Sequence, residues 1–147
     1  MNFGPLDVAP IVDRWRLAAT DFRAIGTTVD IALAMDANDA DPCGYVVLAS
    51  EQGSKREGAS GVYRQRCTAT IGFLIGLRVY GTQTGGEATP EMIELIKSTR
   101  EGLLNWIPPG AVTVLEFVDG RILRMDVESK IWWLERYRCD YWLDSQG

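Results

Sequence analysis

The stretch VYRQRCTATIGFLIGLRVY, residues 62–80, alternates with period two. One parity carries Tyr63, Gln65, Cys67, Ala69, Ile71, Phe73, Ile75, Leu77 and Val79. The other carries Arg64, Arg66, Thr68, Thr70, Gly72, Leu74, Gly76 and Arg78. Successive strand side chains point to opposite faces, so this pattern predicts an antiparallel strand with one face on a core and the other wet. Strands usually run about 5–6 residues. A strand this long is expected to bend or bulge, and Gly72 and Gly76 are the places for it.

Working outward, residues 81–88 are polar and Gly-rich and read as a loop. Thr89-Pro90-Glu91 then opens a helix: a capping hydroxyl, proline at the first position, and an acid against the helix dipole. Met92, Ile96, Thr99, Leu103 and Trp106 form its inner stripe, widened by Ile93 and Leu95, and Pro108-Pro109-Gly110 stops it. Residues 112–118 and 121–127 are strand-like and joined by Asp119-Gly120, a two-residue hairpin signal. Glu128-Ser129 turns the chain into a last strand, 131–143, rich in Trp and Tyr. On the N-terminal side, residues 45–50 make a short strand and 51–61 an exposed loop or hairpin arm. Residues 5–22 carry a helical stripe of Val8, Ile11, Val12, Trp15, Ala18, Ala19 and Phe22, with Asp7 as N-cap. Residues 29–35 read as a further helical turn or two. The order predicts an α+β fold, an antiparallel (mixed) sheet with helices packed on one face, in one domain over 1–147.

Composition limits the chemistry. The 147 residues include no histidine, which removes Ser-His-Asp triads, Cys-His dyads and imidazole metal ligands. Twenty acids against 15 bases leave a net charge of −5, the wrong sign for a surface that grips nucleic acid. Cys43, Cys67 and Cys139 lack C-x-x-C spacing and read as buried free thiols in a reducing compartment. Met1 to Pro5 lack the basic and apolar regions of a leader, and no apolar run reaches the roughly 18 residues of a membrane span, so a soluble protein with no membrane partner is expected.

Three aspartates at 36–42 lack the glycine and terminal glutamate of a calcium loop and read as a solvated turn. The pairs Glu116 with Asp119 and Asp126 with Glu128 read as exposed hairpin charges. No catalytic, cofactor or metal residues are assigned. Arg64, Arg66 and Arg78 share the polar face of the long strand and are expected to meet acids, within the chain or across an interface. Trp132 and Trp133 point to opposite faces, so one of them is either an interface anchor or covered by helices and loops.

Several segments resemble the bacteriophage tail terminator, or tail completion, proteins. GVYRQRCTAT (61–70) is similar to their central strand. LLNWIPPG (103–110), LEFVDGR (115–121), WWLERY (132–137) with YWL (141–143), and the opening LDVAPIV (6–12) follow in the same order. The charged segment 51–60 carries none of the likeness. The resemblance implies a non-enzymatic virion protein that forms a ring, usually hexameric, at the head-proximal end of the tail tube. Its implied partners are further copies of itself, the tail tube protein, a sheath protein, and neck or head–tail connector proteins. Genomic DNA would pass through the ring without specific binding. It also implies assembly in the host cytoplasm and residence at the tail–neck junction. The interface residues expected on this reading are Arg64, Arg66, Arg78, Trp132 and Arg136. The alternatives are another neck or head–tail adaptor component, or a small carboxylate- or thiol-dependent enzyme.

Overall fold

The computed structural model describes residues 1–37, 40–78, 89–125 and 130–146. In chain order the elements are α1 (Ala9–Ala18), β1 (Ala24–Thr27), α2 (Ile31–Ala37), β2 (Cys43–Gly53), β3 (Arg64–Arg78), α3 (Thr89–Leu103), β4 (Glu116–Met125) and β5 (Lys130–Asp144). The strands form one sheet in the order β1-β2-β3-β5-β4. It is mixed: β1 runs parallel to β2, and every other neighbour is antiparallel.

The alternating stretch forms β3, at the centre of the sheet. Its register with β5 is unbroken from Arg64↔Asp144 to Arg78↔Lys130, so the bulge expected at Gly72 or Gly76 is absent from it. The register shift lies instead in the neighbouring strand, between Leu48 and Ser50 of β2. The two glycines serve close packing. A Cβ on Gly76 would stand 2.5 Å from the Trp132 ring and 2.9 Å from Cys43 Sγ, and one on Gly72 would stand 2.8 Å from Val47. Each leaves room for a larger neighbour where a side chain of its own would collide.

Odd-numbered β3 residues from Cys67 to Leu77 are buried in the main core against α1 and α3. The α1 stripe of Ile11, Val12 and Trp15 is buried as its spacing predicts. Trp15 donates from Nε1 to Thr99 Oγ1 on α3 at 3.1 Å and meets Phe73 edge-on at 5.4 Å. Gly44 of β2 gives this indole its space: a Cβ there would lie 2.5 Å from the ring. The helix is shorter than 5–22. Val8 is its N-cap, and the Asp7 carboxylate accepts from the Ala9 N–H at 3.0 Å just outside it.

The even face of β3 is wet over only part of its length. Leu74 packs with Trp132, Leu134, Cys43 and Ala34 in a second cluster, with Ile31 and Met35 of α2 and Leu123 of β4 against it. Burying a side chain such as Leu74 contributes about 1.5–3 kcal/mol. The α+β class holds, with α1 and α3 on one face as expected, while the short α2 lies over the other. The end from Arg64 to Thr70 keeps a polar surface, and Arg78 at the far end of the strand is half-buried.

The hairpin expected at Asp119-Gly120 is not formed. β4 runs through both residues, with register shifts between Phe117 and Asp119 and between Ile122 and Arg124. Gly120 lies under the edge of the core, where a Cβ would stand 2.5 Å from Glu135 Oε1 and 2.8 Å from the Trp133 ring. Asp119 is held by Arg136 across the strand pair. The turn expected at Glu128-Ser129, the 81–88 loop and the Asp126–Glu128 pair lie outside the described residues. Part of the expected 51–61 loop is strand, since β2 extends to Gly53 and Glu57 bridges to Arg64.

Candidate interaction face

The wet end of the even face is built by cross-strand neighbours. β3 presents Arg64, Arg66, Thr68 and Thr70, opposite Asp144, Trp142, Asp140 and Arg138 of β5. β4 adds Glu116 beside Arg138 and Asp119 beside Arg136. Side chains directly opposite on one face lie within contact distance, and opposite charges there attract. Arg66 Nε donates to Asp140 Oδ2 at 2.8 Å, and Thr68 Oγ1 donates to Asp140 Oδ1 at 2.7 Å. Arg136 grips Asp119 with both Nε, at 2.7 Å, and Nη2. Arg138 Nη2 donates to Glu116 Oε1 at 2.8 Å. The Arg64 guanidinium stands 4.0 Å over the Trp142 ring and 4.0 Å from Asp144.

These contacts fix the charge states. Hydrogen bonding from Arg136 holds the Asp119 carboxyl below the usual range. Burial alone would raise Asp140, but the hydrogen bonds from Thr68 and Arg66 and the charge of Arg66 outweigh it and lower it. A shallow depression of about 360 Å³ lies between Arg66, Thr68, Thr113, Glu116, Arg138 and Asp140. It is rimmed by ion pairs already formed inside the chain.

Of the residues expected at an interface, Arg64, Arg66 and Arg136 come together here. Arg78 does not: it ends β3 at the opposite end of the strand, where its backbone N–H donates to Asp41 Oδ1 at 2.6 Å. Trp132 is a correction. It is fully buried in the second cluster, in the slot left by Gly76 and beneath α2, and presents nothing to a partner. Its neighbour Trp133 is half-buried on the other face and donates from Nε1 to Glu135 Oε1 at 2.9 Å. Sequence reasoning named neither Asp140 nor Trp142 for this face. Their parity on β5 was readable, but the register that sets them beside Arg66 and Arg64 was not.

The remaining chemical candidates are structural. Glu116 and Asp119 each answer a different arginine of β5. The three cysteines are free and buried. Burial pushes all three thiols up, Cys139 to about 11, so none is an activated nucleophile. Among the described residues no three Asp, Glu or Cys side chains converge as metal ligands, and no helix is long and apolar enough to cross a membrane.

Residues 1–146 match the model of a family of structural virion proteins that are not enzymes. The chain belongs to the phage tail terminator protein family and is a structural protein of the phage virion. In structure it is similar to a chain from the virion of a native gene transfer agent particle. That likeness has 16% identity and a TM-score of 0.47, and covers 90% of this chain and 92% of that one. A search of curated protein sequences returns no match.

Proposed function

We propose that the chain, acting as a single domain, assembles into a closed homo-oligomeric ring, a hexamer, on the head-proximal end of the tail tube. There it ends tube polymerisation and joins the tail to the neck. The observation that carries this reading is the family match along residues 1–146. The ring contacts further copies of itself, the tail tube protein, the sheath protein where one exists, and the neck or head–tail connector proteins. It is built in the host cytoplasm and remains at the tail–neck junction.

The ion-paired face supports the reading as one of these contact surfaces, through Arg64, Arg66 and Arg136, with Arg78 at a second point. Its arginines are matched by Asp144, Asp140 and Asp119 within the subunit. A face neutralised in this way recognises a partner by orientation and hydrogen bonding. It also has no excess of cations to hold the phosphates of DNA moving through a ring, in keeping with the net charge of −5.

Electron microscopy of particles carrying a labelled copy of the chain tests the proposal. Density in a ring at the head-proximal end of the tube is expected. Label at the baseplate end, or on the head side of the neck as for an adaptor, would refute it.

A further inference from the structure

We infer that the two open edges of the sheet dock onto each other between neighbouring copies of the chain, with β4 of one subunit lying along the free half of β2 in the next. The inference rests on the ring reading and assigns its subunit contact.

The strand order puts these edges at opposite ends of one sheet. At one end β1 covers only Cys43 to Val46 of β2, and its own outward edge is blunted because Arg16 donates from Nε and Nη2 to the Ile25 carbonyl at 2.9 and 2.6 Å. Past Val46, among the described residues, no strand lies on the outer side of β2. A groove of about 660 Å³ opens there, between Asp7, Val8, Thr28, Val29, Val47 and Leu48. Val29 on its rim is wholly exposed.

At the other end β4 is the last strand, with no further strand on its outer side among the described residues, and its exposed side chains are unusually apolar for an edge. Phe117, Val118, Ile122 and Met125 are 43%, 37%, 50% and 48% exposed. Edge strands in monomers are normally blunted by charge, proline or cover, because a bare apolar edge invites another chain. Two bulges interrupt β4, so side chains carry this contact together with the short run of backbone between them.

The ends are complementary. One is an apolar groove with the carboxylate of Asp7 on it. The other is a row of apolar knobs, with the exposed Arg121 on the other face of the same strand. Each subunit carries one of each. The contact is therefore head-to-tail, repeats by rotation and covers both edges at once when the ring closes.

The test places one thiol on each edge, Val29→Cys with Ile122→Cys. Both sites are exposed, and the native thiols are buried. Circular dichroism checks the fold, and light scattering reads association before a short bifunctional maleimide is added. In the double variant the monomer band is expected to shift into a ladder ending at the closed oligomer, with no ladder from either single variant. Association without a ladder would overturn the edge assignment and leave the ring reading standing. A dimer from Ile122→Cys alone would overturn it in favour of a two-fold β4–β4 contact. A chain that stays monomeric at high concentration would overturn both.

Discussion

Replacing Arg100 by methionine strands a buried carboxylate, and the cost follows from the contacts Arg100 makes. Glu135 lies on the core face of β5, fully buried, beneath α3. Its four accepted hydrogen bonds come from Arg100 Nε at 2.8 Å and Nη2 at 2.9 Å, Trp133 Nε1 at 2.9 Å and Tyr137 Oη at 3.0 Å. The Arg100 side chain is 41% exposed, and it also stacks 4.7 Å over Phe117. Breaking a buried pair by removing one partner costs about 3–5 kcal/mol, and the exposure of Arg100 places this case near the lower end, about 3 kcal/mol. For a chain of this size that lowers Tm by roughly 6–12 °C. Methionine keeps most of the packing volume, so the loss is electrostatic. Adding Glu135→Gln to Arg100→Met should then recover a substantial part of the stability, although Glu135→Gln alone destabilises. Denaturant melts of the four proteins measure the cycle. A loss below about 1 kcal/mol, or effects of the two substitutions that simply add, would refute the reasoning.

On the ion-paired face, Arg64→Glu with Arg66→Glu should leave the subunit folded, since exposed pairs contribute about 0.2–1 kcal/mol each, yet weaken assembly. Unchanged oligomer formation by light scattering would remove these arginines from the interface. Gly76→Ala drives a Cβ to 2.5 Å from the Trp132 ring and should cost about 1–3 kcal/mol, whereas Gly26→Ala, whose nearest atom would be 4.0 Å away, should change stability little. Equal thermal shifts for the two would contradict the packing role given to Gly76. Burial raises Cys139 from 9.0 to about 11 and also raises Tyr137 and Tyr141. A group raised in the folded state stabilises fully below its unfolded value, so stability should fall as pH rises from about 9 towards 11. A flat profile across that window would count against it. A thiol reagent should find no reactive cysteine in the native chain and three after denaturation, and one fast-reacting native thiol would show that the burial is wrong.

β3 was legible because alternation over its whole length has one physical source, a pleat between two environments. α3 was legible at its start, where Thr89-Pro90-Glu91 carries its own chemistry, but not at its end: the helix stops at Leu103, with Asn105 in the left-handed region at φ 66°, before Trp106 and Pro108-Pro109-Gly110 are reached. β1 was not, since four residues show no period and its parallel pairing with β2 leaves no turn between them. The second core was hidden for a related reason. Gly72, Leu74 and Gly76 read as the wet side of a strand because the bulk that covers them belongs to other segments, to Trp132 and Leu134 of β5 and Ala34 of α2. Asp119-Gly120 misleads in the same way. A glycine that admits a close neighbour and a glycine that turns a hairpin look identical until Glu135 and Trp133 are seen beside it.

The candidate face divides along the same line. Parity correctly put Arg64, Arg66 and Arg78 on one side of β3 but said nothing of position along it. At about 3.4 Å per residue, Arg64 and Arg78 stand roughly 48 Å apart, so one face holds two separate places. Parity also split Trp132 from Trp133 without revealing that the outward side at Trp132 is dry. What the cross-strand register adds bears on energetics. Arginines that already grip Asp119, Asp140 and Asp144 have little unspent attraction for a partner, and exchanging one ion pair for another across an interface sets orientation and encounter rate more than affinity. In the proposed ring, affinity therefore has to come from apolar surface that the subunit leaves uncovered. Val29 and the Phe117–Met125 edge carry such surface, at opposite ends of the sheet, which is where a closed head-to-tail assembly requires it.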